Sequence, residues 1–392
     1  MIGLLGSAAV AGGFAVAQQG AIAGGTGHAG VARTGDPGLA WLAPAGLADD
    51  GGWRFAVGAA VAASTTEGRA TDGSWNARSR TPVGVPPHAY VSYARRALVA
   101  GLAVHTPFAG GVRWPEDWAL RTTAVSSAPT FLRVALFVGR RFGRVSFALG
   151  PHVDVGRLVV TRRTDHVTEE GWAQVALAGA GVGFDASARW EVTEALAVGA
   201  AYGSRTAIGL SGWADFDVPT SVAATLPDQR ATSRLVLPDR ITIGARLGDR
   251  VAVLVDAAWV AWSVNQVLVV DFASEDTPES VQDNRWRNTV ALRGGVEAQL
   301  GTWTVRAGGY LDGVPDAPVP RETLSPASPD GIRVAGTLGV GVEPTSRVRV
   351  DGFAELLQVL ARTSRAPGVD AAFRTRAYVA GATVSMQIPG AD

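Results

Sequence analysis

Apolar and polar residues alternate along most of this chain, in segments joined by connections that are short, then long, then short again. Short joints fall at Arg95-Arg96, Arg140 to Phe142, Glu191 to Glu194, Gly248-Asp249, Leu300-Gly301 and Pro344 to Ser346. Long polar joints lie between them, around residues 65–86, 107–129, 165–171, 217–236, 273–284, 313–330 and 361–373. Six short and seven long joints imply about fourteen strands, an even number that leaves both chain ends on one side. Short turns on one face and long loops on the other are the habit of a transmembrane antiparallel β-barrel.

The alternation is clearest over residues 287–300. Val290, Leu292, Val296, Ala298 and Leu300 share one parity, while Arg287, Thr289, Arg293, Glu297 and Gln299 share the other. Because strand side chains alternate faces, one face is apolar and the other charged. Residues 303–312 and 347–355 repeat the pattern. A soluble antiparallel sheet alternates too, but the segments 172–190 and 251–271 are longer than the usual strand of about five to six residues. No helical pattern is long enough to cover such a sheet. In a barrel the apolar face meets lipid, and the lumen receives Arg293, Glu297, Arg306, Arg347 and Asp351. Mutual pairing accounts for most of these charges; a minority, Arg293 and Arg306 first, could meet a substrate's carboxylate. Trp53, Trp172, Trp259, Trp262, Trp286 and Trp303 lie at or near strand ends, where interfacial girdles suit an indole.

Composition removes other classes. Lys plus Arg equals Asp plus Glu at 35 each, so no basic footprint for nucleic acid exists. The absence of cysteine excludes disulfides and thiolate metal sites. The five histidines form no metal-binding array, and neither metal nor cofactor is expected. His152 and Asp154 share one strand face, but without a G-x-S-x-G elbow or an evident serine partner a wall hydrogen bond explains them more simply than hydrolysis. Gly25, Gly27 and Gly30 match a dinucleotide-loop spacing, with Asp49 and Asp50 downstream. Asp36-Pro37 breaks the required helix and no βαβ unit follows.

Residues 1–17 are apolar and end Ala15-Val16-Ala17, which reads as a signal peptide with an A-x-A site and Gln18 as mature start. A buried N-terminal segment is the other reading. Residues 18–52 do not alternate and are expected to fold into the lumen as a plug, ahead of a barrel over 53–388. The long joint 107–129 carries Phe108, Trp114, Trp118 and Leu120. Aromatics on an outer loop either pack together or catch an apolar ligand, and both readings stand.

At this point the chain resembles the FadL-type family of outer-membrane long-chain fatty acid and hydrocarbon transporters. The resemblance rests on Gly27 to Ala32 through Asp36-Pro37 to Pro44-Ala45-Gly46-Leu47, then on Gly181 to Phe184, Val198 to Ser204 and Leu210 to Gly212. Leu237 to Arg240, Trp259 to Ser263, Arg306 to Tyr310 and Ser328 to Arg333 follow in order. It implies a monomeric, fourteen-stranded barrel in the Gram-negative outer membrane, closed by an N-terminal hatch in which Gly27, Asp36, Pro44, Ala45 and Gly46 take part. The implied function is passive transport of hydrophobic small molecules, long-chain fatty acids first and aromatic hydrocarbons second. Phe108, Trp114, Trp118 and Leu120 are expected to capture them, and the family often releases substrate sideways through the wall. A scaffold barrel presenting secreted proteins is the alternative. Two departures from the family pattern are Ala43-Pro44-Ala45 in place of Asn-Pro-Ala, and a final strand that ends without an aromatic residue.

Overall fold

In the computed structural model, which describes residues 13–48, 51–166 and 169–390, the alternating segments close into one antiparallel barrel of 14 staves. The staves are β1 Gly52–Ala70, β2 Pro87–Arg95, β3 Leu98–Ala109, β4 Ser126–Phe142, β5 Val145–Asp165 and β6 Glu170–Glu191. Three staves are each broken once: β7 into Leu196–Gly203 and Thr206–Asp217, β8 into Gln229–Leu237 and Arg240–Gly248, and β9 into Val251–Val260 and Val267–Phe272. β10 Thr289–Leu300, β11 Trp303–Val314, β12 Arg333–Thr345, β13 Val348–Thr363 and β14 Ala371–Ile388 complete the ring. β14 pairs with β1 from Trp53 opposite Ile388 to Ala70 opposite Ala371, so no edge is left to hydrogen-bond in lipid.

The outer face is apolar and open. Val182 is 74 % exposed and Leu338 66 %, values that only a lipid solvent explains in a folded chain. Trp53, Trp190 and Trp303 stand exposed at the short-turn end and Trp213 at the long-loop end, as interfacial girdles require. The inward parity carries a dense charge lattice. Arg133 grips Asp154 with two hydrogen bonds of 2.8 Å, and Arg306 reaches Glu297 at 3.1 Å and Asp351 at 2.8 Å.

Three expectations need correction. The uninterrupted segment 251–271 is cut by a 3-10 turn, Trp262–Val264, which swings Trp262 into the lumen. Trp262 and Trp286 are therefore buried, not girdle residues. Arg347 lies exposed on the β12–β13 turn rather than in the lumen, because the strand has already ended there.

Residues 13–48 fill the lumen with short pieces, α1 Ala21–Gly25, α2 Leu39–Leu42 and a 3-10 turn Pro44–Leu47. Such fragments cannot satisfy their own backbones, and the wall does it for them. Thr383 Oγ1 accepts from Ala21 N, Thr337 Oγ1 from Gly27 N, Asp256 Oδ2 from Gly30 N and Val31 N, and Ser187 Oγ from Ala45 N. In return Arg54 donates to Leu47 O and Arg189 to Ala32 O.

Candidate functional site

The hatch lies against a flat patch of wall made by Gly294 and Gly295 on β10 with Gly308 and Gly309 on β11. A Cβ on Gly308 would stand 2.4 Å from Gly27 N, and one on Gly295 2.6 Å from Thr26 O. Gly27 turns there with φ +64, a conformation that favours glycine. Gly25 and Gly27 thus serve a backbone-to-backbone contact, whereas Gly30 leaves room for the Arg33 side chain. Next to it, Glu355 accepts from Tyr310 Oη at 2.7 Å and Gln18 Nε2 at 3.0 Å, and faces His28 Nε2 at 2.8 Å. Asp36 caps the following turn through Gly38 N at 2.7 Å, while Pro44, Ala45 and Gly46 are buried in the 3-10 turn.

Above the hatch sits a box of aromatic rings. Phe14 is its centre, with ring centroids 5.1 Å from Trp262, 5.7 Å from Phe108, 5.8 Å from Trp286 and 6.5 Å from Phe131. Residues 13–17 reach that place by pairing with β3: Val16 N donates to Pro107 O, and Ala109 N to Phe14 O. On either side of this segment remain voids of about 50 and 40 Å³. Ligand pockets measure roughly 300–1,000 Å³, so the chain's own residues occupy the site.

The inner of the two voids is apolar on the side of Phe108, Val260 and Trp262, and charged on the side of Arg133, Arg240, Arg293 and Asp312, three cations to one carboxylate. Among the described residues neither arginine has an acidic side chain within salt-bridge distance; Arg293 Nη1 is buried without a hydrogen-bond partner. Arg240 instead lies over the ring of Trp41 in the hatch, 4.9 Å from its centroid. Below the hatch, toward the short turns, a polar mouth of about 340 Å³ is lined by Arg33, Asp36, Glu297, Arg306 and Arg349.

The residues singled out from the sequence separate into three groups. Phe108 lines the box and the inner void, and Arg293 lines the void. Trp114 and Trp118 stack at 4.3 Å under the outer loops, their indoles donating to Pro326 O and Ala124 O, and Leu120 packs against the same cluster. They pack together beneath the outer loops, at the outer end of the barrel. Arg306 is the third case: its side chain is 1 % exposed and bonded to Glu297 and Asp351 through Nε and Nη1, and it lines the polar mouth below the hatch rather than the inner void. Arg306→Ala should weaken the lattice by less than the roughly 3–5 kcal/mol of an uncompensated buried charge, since Glu297 keeps Arg33 and Asp351 keeps Arg349, read as an earlier urea midpoint of the refolded barrel.

Phe14, Phe131, Trp262 and Arg240 escaped sequence reasoning. Trp262 is a large ring on the inward parity of its strand, the one signal that could have exposed it. His152 is also resolved: its Nδ1 meets Asp185 at 2.8 Å and its Nε2 meets Thr206 Oγ1 at 3.0 Å. Thr206 donates its hydroxyl hydrogen to Asp154 at 2.7 Å and so accepts from the imidazole, a hydrogen-bonded chain within the wall. Asp49, Asp50 and residues 1–12 lie outside the described residues.

Fold and lumen define a class: a membrane-type β-barrel whose lumen is plugged by an N-terminal hatch. A sequence profile described as outer membrane protein transport protein (OMPP1/FadL/TodX) matches residues 2–388. The chain belongs to this family, whose members are outer-membrane transporters of hydrophobic compounds and not an enzyme family. Similar folds include a Pseudomonas aeruginosa FadL homologue (18 % identity, TM-score 0.86, covering 95 % of this chain and 99 % of that one). The Ralstonia pickettii toluene transporter TbuX is similar at 18 % identity and TM-score 0.74, covering 94 % and 98 %. The Pseudomonas putida toluene transporter TodX is similar at 15 % identity and TM-score 0.75, covering 96 % and 99 %. No curated protein matches the chain.

Proposed function

We propose that this barrel passively transfers long-chain fatty acids across the outer membrane, with no covalent chemistry. The observation that carries this reading is the pair Arg240 and Arg293, two cations with no salt bridge among the described residues, beside an aromatic wall. A buried guanidinium left unpaired is costly, and a fatty acid supplies both the missing carboxylate and the apolar tail. Each Å² of tail buried contributes about 25 cal/mol. Arg240 also links the site to the hatch, since a carboxylate competes with Trp41 for it. A cation–π contact is worth roughly 0.5–2 kcal/mol, and a charge-assisted hydrogen bond to carboxylate exceeds a neutral one about twofold. Ligand therefore draws Arg240 off Trp41 and favours a hatch conformer with less hold on the wall.

Labelled oleate uptake tests this in cells lacking their own fatty acid transporter. Arg293→Ala should lower uptake roughly tenfold, one charge-assisted contact being about 1.5–3 kcal/mol, while toluene entry stays unchanged. Equal loss of both ligands would sink the carboxylate role.

A second reading, aromatic hydrocarbons, is favoured by the ring box around Phe14, which already holds one phenyl group. The toluene transporters among the similar folds agree with it. Cleavage after Ala17, the signal-peptide reading, would remove Phe14 and leave the ring box vacant, whereas an earlier start keeps it filled. The intact mass of the membrane-inserted protein checks this: a chain starting at Gln18 would have lost Phe14, and an earlier start keeps it.

A further inference from the structure

One concavity belongs to no part of the transport path. It lies on the lipid-facing outside of the barrel, near the short turns, with a volume of about 530 Å³. Register defines it. Pairing sets Trp53, Tyr93, Ala100, Val138 and Leu149 side by side across β1 to β5 on the outer face. Val91, Leu102 and Leu136 form the next row toward the outer loops. Ala100 is the small residue between large ones: Trp53 and Tyr93, with rings 4.9 Å apart, rise on one side, and Val138 and Leu149 on the other. The result is a trough running along β3.

The row on the other side, at the membrane edge, has a different chemistry. There Arg95 pairs with Leu98, Leu98 with Arg140 and Arg140 with Phe147. Arg95 and Arg140 have the same outward parity as Tyr93 and Val138, two residues or about 7 Å along the strand. Their stems flank Leu98 roughly 10 Å apart, two interstrand spacings, a gap two guanidinium groups close around a single phosphate. Arg96 follows on the turn. All three arginines are exposed, and among the described residues none has an acidic partner; Arg140 rests its guanidinium on Phe142 at 5.0 Å. Glu191, on the adjacent turn, is already held by Arg141 at 2.8 Å and Arg189 at 3.1 Å. The edge beside the trough is therefore cationic, and short turns face the periplasm.

We propose that the trough and its arginine edge bind one anionic glycerophospholipid of the periplasmic leaflet. An acyl chain lies over Ala100 between the Tyr93 and Val138 walls, and the phosphate sits between Arg95 and Arg140. Apolar trough and cationic edge match the two ends of such a lipid at their natural depths, whereas a free fatty substrate in the lumen would meet neither. The inference rests on the outer-membrane placement of the barrel and not on the transport reading, so either stands if the other fails.

The test is native mass spectrometry of the full chain in mild detergent, offered equimolar phosphatidylglycerol and phosphatidylcholine. Wild type should retain phosphatidylglycerol in excess. In the Arg95→Gln/Arg140→Gln variant that preference should fall roughly thirtyfold, each arginine being worth about 1 kcal/mol at a membrane surface and 1.4 kcal/mol a factor of about ten. Ala100→Trp fills the trough and should reduce both adducts alike. Arg230→Gln, at the opposite end, should change neither. A heat-shifted gel band shows in each case that the barrel has folded. Equal retention of the two lipids by wild type would overturn the proposal. So would undiminished preference after loss of both arginines, or adducts indifferent to Ala100→Trp.

Discussion

Phe14→Ala should convert a closed lumen into one that binds a single aromatic ring. The phenyl group of Phe14 is enclosed by Phe108, Phe131, Trp262 and Trp286, and voids of about 50 and 40 Å³ already flank it. Truncation removes the partition between them. Comparable apolar cavities of about 150 Å³ stay dry and take up benzene, and removing a buried phenylalanine ring costs about 3–5 kcal/mol of packing. That loss also loosens residues 13–17, whose hold on β3 is otherwise only backbone pairing. Two results are expected. Toluene should saturably quench the tryptophan emission of the variant, through Trp262 and Trp286, at concentrations that leave wild type unchanged. Toluene entry into cells should rise, while oleate uptake keeps its dependence on Arg293. Quenching of wild type and variant at the same concentration would mean that Phe14 does not occupy the ligand's place.

Gly308→Val should unseat the hatch without unfolding the barrel. Its Cβ would meet Gly27 N and the Thr26 carbonyl carbon at 2.4 Å and Gly294 O at 2.8 Å, all backbone atoms that cannot rotate away. Valine is otherwise favourable in a strand, so the clash falls on the hatch. Overpacking of this kind costs about 1–3 kcal/mol, enough to move the hatch equilibrium about 5- to 150-fold. Losing that seat also strains the bond from Gly27 N to Thr337 and the contact of His28 with Glu355. Once the hatch shifts, the polar mouth of about 340 Å³ no longer ends blindly. Single-channel recordings in planar bilayers should then show ion conductance that wild type lacks. Gly336→Val is the control: a Cβ there meets nothing within 4 Å, and the variant should stay silent. Silence from both variants would show that the hatch does not depend on this contact.

Much of the architecture could be read from residue order because lipid enforces a strict rule. A strand crossing a bilayer must show apolar side chains on every second position, and residues 290–300 and 303–311 do so. The short turns at Arg95-Arg96, Glu191 to Glu194, Gly248-Asp249 and Leu300-Gly301 fall where the structure places them, and the turn expected at Arg140 to Phe142 lies two residues later, at Gly143-Arg144. Failures cluster where the backbone leaves the wall. Trp262 shares the inward parity of Ala252, Asp256 and Ala258, where a girdle residue would not stand, and the 3-10 turn carries it into the lumen beside Trp286. Trp114 and Trp118 were identified as a cluster, but whether they face ligand or each other depended on the partners Trp75, Phe373 and Pro326, all distant in the chain.

Arginines show the same limit. Arg293 and Arg306 are similar in sequence, each inward on neighbouring strands. Register places Arg306 between Glu297 and Asp351, and leaves Arg293 beside an apolar void. By itself the sequence determined the class: an even-stranded membrane barrel, its lipid face, its turns and its plug, since period-two alternation and turn chemistry are local properties. Tertiary structure alone decided which side chains meet in the lumen, where the hatch touches glycine, and which cations stay unpaired. Alternation assigns each residue a face but not a neighbour. Neighbours come from strand register, barrel closure and the path of a segment that belongs to no strand.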